Sequence, residues 1–471
     1  MKQLQQSIRT GCISVAEVPV PRGGHGRVLV QVAASLISAG TERMLMDFGS
    51  KNLLAKARAR PDLVRQVLEK AQREGLQTTL EALRSRMDQP MALGYSCAGT
   101  VIEVGEDVDD VRVGDRVACA GGGYAVHAEI VSVPHKLVVR LTAAESGGTE
   151  VSNERGGTPG ETASGDTSSR EIGETPSCGI APAQGASDHV RRESALGTTF
   201  EQAAFTTLGA IALQGLRLAD VKLGETIAVL GLGVVGQLTA QMLKAAGCTV
   251  VGMDVRPERA RLARESGADA VATDAAGLVS AVHQTSSGQG ADAVLITADT
   301  PSNQPVEMAG QIARDRGVVV AVGAVGTEVP RKIYYDKELA FRISRSYGPG
   351  RYDPEYEEHG RDYPIGYVRW TEQRNMQAFA HLLATRKVDV QPLISHRFPL
   401  TAAPAAYDLI GGKTGEPFLG VLLTYPERRD TARTVQLRPR VPNRGLPAPL
   451  AAIGLLGAGN FATTTLLPAM K

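Results

Sequence analysis

Residues 227–236 read Ile-Ala-Val-Leu-Gly231-Leu-Gly233-Val-Val-Gly236, an apolar run closed by three glycines in a G-x-G-x-x-G spacing. The spacing alone is a weak signal. Here it follows a strand-like run, opens a helical pattern over 234–246, and leads to a second apolar run ending at Asp254. In that setting it reads as a dinucleotide-binding turn. Gly231 permits the tight turn, Gly233 lets the backbone approach a diphosphate, and Gly236 lets the helix pack close to the strand. The free N–H groups at the helix start face the phosphates. Asp254 is expected to accept hydrogen bonds from the ribose hydroxyls and to repel a 2′-phosphate, which favours NAD over NADP. Arg256 and Arg259 pull the other way. Val235 and Gly323 complete the expected cofactor-binding set.

Around this unit, residues 226–323 alternate strand-like and helical runs (IAVLG, TVVGMD, AVAT, AVLITA, VVVAVG), the pattern of a parallel sheet with crossover helices. The 471 residues are 43% hydrophobic and 21% charged, enough apolar material for two or more cores. Fifty-one Lys plus Arg against fifty Asp plus Glu leave a net charge of +1, which argues against a dedicated nucleic-acid binder. No apolar run has the length of a membrane span, and the start MKQLQQSIRTG has no signal-peptide core. Five cysteines without a CxxC spacing argue for a reducing, cytoplasmic setting rather than a disulfide framework.

The expected organisation is a β-rich catalytic domain over 1–144, carrying a basic helical insert at 44–88. A low-complexity, disordered insertion follows at 145–198, then the dinucleotide-binding domain at 199–340, and the resemblance given below implies that 341–425 return to the catalytic domain. Residues 426–450 read as a Pro- and Arg-rich linker, and 451–471 as the truncated start of a second Rossmann domain, on Gly457-Ala-Gly459-Asn-Phe-Ala462. Residues 345–375 concentrate tyrosines, arginines and the single Trp. Arginine forks suit carboxylates and phosphates, and hydroxylated aromatics suit sugar rings. Arg351, Tyr352, Tyr367 and Arg369 are therefore expected to bind a polar substrate, together with Arg43.

The order VGDRVA, GGGYAVHAEIVSVP, EQAAF, GLGVVG and HRFPL…AAYDLI resembles the medium-chain alcohol dehydrogenase/reductase superfamily. The resemblance implies an α/β protein with a GroES-like β-barrel, a doubly wound Rossmann domain and an active site in the cleft between them. SAGTER, the 345–375 segment and the terminal GxGxxA are similar to two-part bacterial oxidoreductases, fused to a glucose–fructose oxidoreductase/inositol dehydrogenase-like domain. At the three stations where zinc members of the superfamily carry their ligands, this chain has Ser38, Tyr95 and Thr206. Neutral hydroxyls bind zinc poorly. The expectation is therefore NAD without zinc and no metal site, with Tyr95 supplying the proton or serving as a packing tyrosine, Ser38 and Thr206 as neighbouring donors, and Glu42 with Arg43 orienting the substrate or forming an internal ion pair.

The implied activity is hydride transfer between a nicotinamide and a secondary alcohol or carbonyl, on a sugar or nucleotide-sugar in polysaccharide metabolism. Two other classes stay open: an epimerase or lyase using NAD transiently, and a regulatory protein that binds nucleotide without turnover. The expected partner is a small molecule, with no nucleic acid and no membrane. Self-association is left open.

Overall fold

The computed structural model describes residues 1–50, 90–141 and 197–426, together with 462 and 466–469. The expectations for 145–198 and 426–450, most of the 44–88 insert, and nearly all of the 451–471 unit lie outside these residues.

Eight strands come from the N-terminal part: β1 (Lys2–Ser7), β2 (Ile13–Glu17), β3 (Arg27–Ile37), β4 (Pro90–Ala92), β5 (Ser96–Val104), β6 (Arg116–Ala120), β7 (Ile130–Pro134) and β8 (Val138–Arg140). Six more, β9 (Thr226–Leu230), β10 (Thr249–Met253), β11 (Ala270–Ala272), β12 (Ala291–Ile296), β13 (Ala313–Ala321) and β14 (Ala340–Ile343), belong to the central part. β15 (Ile394–Pro399) and β16 (Gly420–Thr424) close the described chain.

The central six strands form one sheet in the order β11-β10-β9-β12-β13-β14, with every pairing parallel. β9, Thr-Ile-Ala-Val-Leu, is buried at all five positions, as a strand covered by helices on both faces must be. The sheet runs on to Ile343, a little past the expected boundary at 340. Strand order reverses between β9 and β12, which opens a crevice at the carboxyl ends of the strands.

The return segment completes the other domain. β16 pairs antiparallel with β3, and β15 pairs parallel with β16, giving the order β15-β16-β3-β5-β6-β8 with β7 also on β3. A small sheet, β2-β1-β4, lies beside it. This is the GroES-like barrel built from both flanks.

The helix Thr206–Ala219 joins the two halves. Its Leu208 and Leu216 share a core with Leu36 of β3, Leu422 of β16, Val229 and Leu295 of the parallel sheet, and Phe379 and Leu383 of the helix Glu372–Ala384. Truncating a buried aromatic such as Phe379 to Ala at this junction costs about 3–5 kcal/mol. The cleft walls are thus set by one shared core. Among the described residues no helix is long and apolar enough to cross a membrane.

Candidate active site

The glycine turn has the expected form. Gly231 adopts φ 95°, and a Cβ there would lie 2.6 Å from the Ala298 nitrogen. Gly233 sits at the N-cap of the helix Val234–Ala245 with no side chain capping it, so the first-turn N–H groups are left for an anion. Gly236 meets the turn so closely that a Cβ would lie 1.9 Å from the Gly231 carbonyl oxygen. Val235 is half-buried in the first turn. Gly323 has a packing role instead: a Cβ there would lie 2.0 Å from the Ala298 carbonyl oxygen, where the ends of β12 and β13 close together.

Asp254 is buried at the end of β10, but its carboxylate is already engaged. Leu232 N–H donates to one oxygen at 2.7 Å and Arg256 N–H to the other at 2.9 Å, so Asp254 also organises the turn. Arg259 Nη1 stands 3.8 Å from it and about as close to the space over Gly233. Arg256 is exposed.

Arg43 goes elsewhere than expected. Its guanidinium donates twice to the Ile410 carbonyl, at 2.9 and 2.5 Å, and lies 5.7 Å from the Phe418 ring. Arg259 donates to the Phe418 carbonyl at 3.4 Å. Burial is the first reason that the Arg259 guanidinium is held below its usual pKa, and the Arg43 charge adds to it. Arg43 therefore belongs to the glycine-turn side of the cleft, because the end of the helix Ala403–Ile410 captures it.

The expected catalytic hydroxyls do meet. Tyr95 OH donates to Ser38 Oγ at 2.6 Å, and Ser38 Oγ donates to Thr41 Oγ1 at 3.5 Å. Burial pushes the Tyr95 hydroxyl pKa up, against the opposing pull of the Ser38 and Thr41 bonds; Glu42 and Tyr352 push it further up. Thr206 begins its helix fully buried, with its hydroxyl unpartnered, and Thr207 Oγ1 donates to the Tyr95 carbonyl at 3.5 Å.

Glu42 is not a surface for substrate. AGTER forms the start of the helix Ala39–Ser50, and Glu42 reaches back to accept from Ser38 N–H at 2.9 Å. It is completely buried, with His127 Nε2 at 3.3 Å and Tyr407 OH donating to its second oxygen. His127, Tyr407 and Ser35 were not legible as site residues. The one hint was polarity inside apolar stretches, at Ser35 in VLVQVAASLIS and His127 in YAVHAEIV.

The tyrosine- and arginine-rich segment divides. Tyr352 stands near the hydroxyl pair and Arg351 packs on its ring: Tyr352, at φ 65°, lies between the Arg345 and Arg351 guanidiniums (5.0 and 3.9 Å from its ring) and is close enough to influence Tyr95. Arg351 Nη1 donates to Glu357 at 2.6 Å. Tyr367 and Arg369 do not join this group. Tyr367 is 91% exposed, and the Arg369 guanidinium stacks on Trp370, which Arg217 also covers. The ring face attracts both cations.

Behind Arg351, Glu372 is fully buried with neither oxygen partnered, beside Tyr347, whose buried hydroxyl is also unpartnered. Burial, and then the Glu357 charge, push the Glu372 carboxyl up to about 9. The folded protein therefore keeps a proton that the unfolded chain releases above its ordinary carboxylate range, and the contribution of Glu372 to stability falls as pH rises from 5 to 8. Glu372→Gln is expected to shrink that fall by about 3 kcal/mol. Urea unfolding at the two pH values checks this, and an equal fall in both proteins refutes it.

The comparisons with known proteins agree with this architecture. A family model described as "Alcohol dehydrogenase GroES-like domain" matches residues 69–143, and one described as "Zinc-binding dehydrogenase" matches residues 234–358. Over these two stretches the chain is similar to medium-chain, zinc-binding alcohol dehydrogenases, and it spans about 64% and 43% of the length of the first two curated relatives it matches. An alcohol dehydrogenase of Geobacillus stearothermophilus is 26% identical over 256 residues, 52% of this chain and 64% of that protein. A (R,R)-butanediol dehydrogenase of Bacillus subtilis is 27% identical over 38% of this chain and 43% of that protein. A D-arabitol-phosphate dehydrogenase of Enterococcus avium is 23% identical over 68% of this chain and 78% of that protein. The fold is that of galactitol-1-phosphate dehydrogenase from Escherichia coli, with a TM-score of 0.58 at 18% identity over 90% of this chain and all of the other.

These matches overturn the expectation of a cofactor set without zinc, because the model matched over 234–358 is that of a zinc-binding dehydrogenase and the relatives are alcohol dehydrogenases. The hydroxyls of Ser38, Tyr95 and Thr206 do not themselves fit such a metal. Among the described residues no group of three or more His, Cys, Asp or Glu could hold one. Cys97 and Cys119 face each other across β5 and β6, and the Cys119 thiol is pushed well up by its bond to Cys97 and by burial, which keeps it protonated.

Proposed function

We propose that this chain is an NAD(P)-dependent oxidoreductase acting between a secondary alcohol and its carbonyl, on a polyol- or sugar-type substrate. The observation that carries the reading is the 2.6 Å Tyr95–Ser38 hydroxyl pair, in a protein whose glycine turn leaves an uncapped helix start for a diphosphate. A nicotinamide coenzyme held at the glycine turn would give the hydride in reduction and take it in oxidation. The protein's own hydroxyls move the proton. Burial keeps Tyr95 protonated through neutral pH, so it donates to the carbonyl oxygen in reduction. Ser38 and the exposed Thr41 carry the replacement proton from solvent. In oxidation the same chain runs outward, and that direction is expected to speed up with rising pH. Arg351 and Tyr352 hold the polar end of the substrate. The identity of the curated relatives supports a polyol class of substrate.

The test is turnover of butane-2,3-diol, D-arabitol phosphate and galactitol 1-phosphate with NAD⁺ or NADP⁺, together with fluorescence titration by NADH and NADPH. Binding of either coenzyme with turnover of one such alcohol is expected; failure to bind both coenzymes at millimolar concentration sinks the reading. Arg259→Gln is expected to weaken coenzyme binding about tenfold, as for one lost charge-assisted hydrogen bond. Added salt should narrow the difference. An unchanged Kd at low salt would place Arg259 outside the phosphate site.

A further inference from the structure

We infer that Glu42 and His127 form a buried lock that positions the Tyr95–Ser38 pair, acting through their neighbours rather than on the substrate. The inference rests on the proposed role of Tyr95. Both side chains are completely buried and face each other at 3.3 Å. Glu42 reaches the first half of the pair by accepting from Ser38 N–H, which fixes the backbone that carries the acceptor of the Tyr95 bond. His127 reaches the second half by contact. Gly94 adopts φ 94°, and a Cβ there would lie 2.7 Å from the imidazole, so the ring forms the seat on which the Gly94–Tyr95 backbone rests. The His127 N–H also donates to the Leu93 carbonyl at 2.8 Å.

The lock is itself held from three remote segments. His127 Nδ1 lies 2.7 Å from Ser35 Oγ, which lies 2.7 Å from Tyr425 OH, and Tyr407 donates to Glu42 while packing edge-on to the imidazole. A buried carboxylate is tolerated only when donors satisfy it, and here three converge on it: a backbone amide, a phenol and an imidazole. That over-determination leaves Ser38 little freedom to move relative to Tyr95. Displacing a proton donor by about 1 Å can cost on the order of 100-fold in rate.

The test is a double-mutant cycle. Glu42→Ala and His127→Phe are each made alone and combined with Tyr95→Phe, and kcat is measured on the best substrate of the panel above. Coenzyme Kd is followed by NADH or NADPH fluorescence. Each single variant is expected to lower kcat about 10- to 100-fold with coenzyme Kd within twofold, and to cost no more than twofold once Tyr95 is already Phe. Losses of equal size in both backgrounds, or no loss, would overturn the lock. Should the larger changes prevent folding, the same cycle with Glu42→Gln and His127→Gln decides it: smaller losses that vanish over Tyr95→Phe support it, and additive ones refute it. A Tyr95→Phe protein with wild-type kcat would count instead against the proposed function.

Discussion

Tyr95→Phe is expected to lower kcat by about 10²–10⁴-fold, the usual worth of a positioned general acid. The substitution keeps the ring and removes only the oxygen that donates to Ser38. Packing and coenzyme Kd should therefore stay within about twofold of wild type. The pH profile gives the second readout. Because burial raises the hydroxyl pKa, reduction should be flat through neutral pH and fall only above the usual tyrosine range, while oxidation climbs over the same interval. In the Phe variant both slopes should disappear. A variant that retains wild-type kcat and its pH dependence would assign the proton to another group.

The second large effect concerns Gly236. A methyl group there would lie 1.9 Å from the Gly231 carbonyl oxygen and 2.9 Å from Thr297 Oγ1, which itself donates to that carbonyl at 2.5 Å. Neither neighbour is the loose end of a flexible chain, so the turn must move. Gly236→Ala is expected to weaken NADH or NADPH binding about 100-fold or more, corresponding to about 2.8 kcal/mol. It should also lower stability by about 1–3 kcal/mol, as overpacking does. Fluorescence titration and thermal unfolding measure the two separately. Tight coenzyme binding in the variant would show that the turn does not carry the diphosphate.

The Rossmann half was legible because its signal is local. A fully apolar β9, a glycine turn and a helix follow one another without interruption, and each takes the conformation that its own residues favour. Tyr95 and Ser38 were legible as a pair only through a resemblance in the order of motifs, since 57 positions separate them. Zinc was misjudged on the same stations, because a residue's chemical type at three positions was set against the family as a whole.

The residues that escaped notice share one property. By sequence Glu42 reads as a group facing substrate and His127 and Tyr407 carry no site signal, yet the three meet in one buried cluster from segments as much as 365 positions apart. Arg43, Tyr367 and Arg369 were placed by their chemistry alone, and each found a nearer partner: a helix-end carbonyl, solvent and an indole face.

By itself the amino-acid order determined the parallel sheet and the glycine turn that follows its β9, whereas the return of the chain to its first domain was implied only by the resemblance in motif order. The sheet and the turn follow from hydrophobic periodicity and glycine geometry, which act over a few residues. Only the tertiary structure decided which polar groups are buried together and which are drawn off to other partners. A hydrogen bond or ion pair depends on distances of about 3 Å between atoms that the chain brings together only when the core closes.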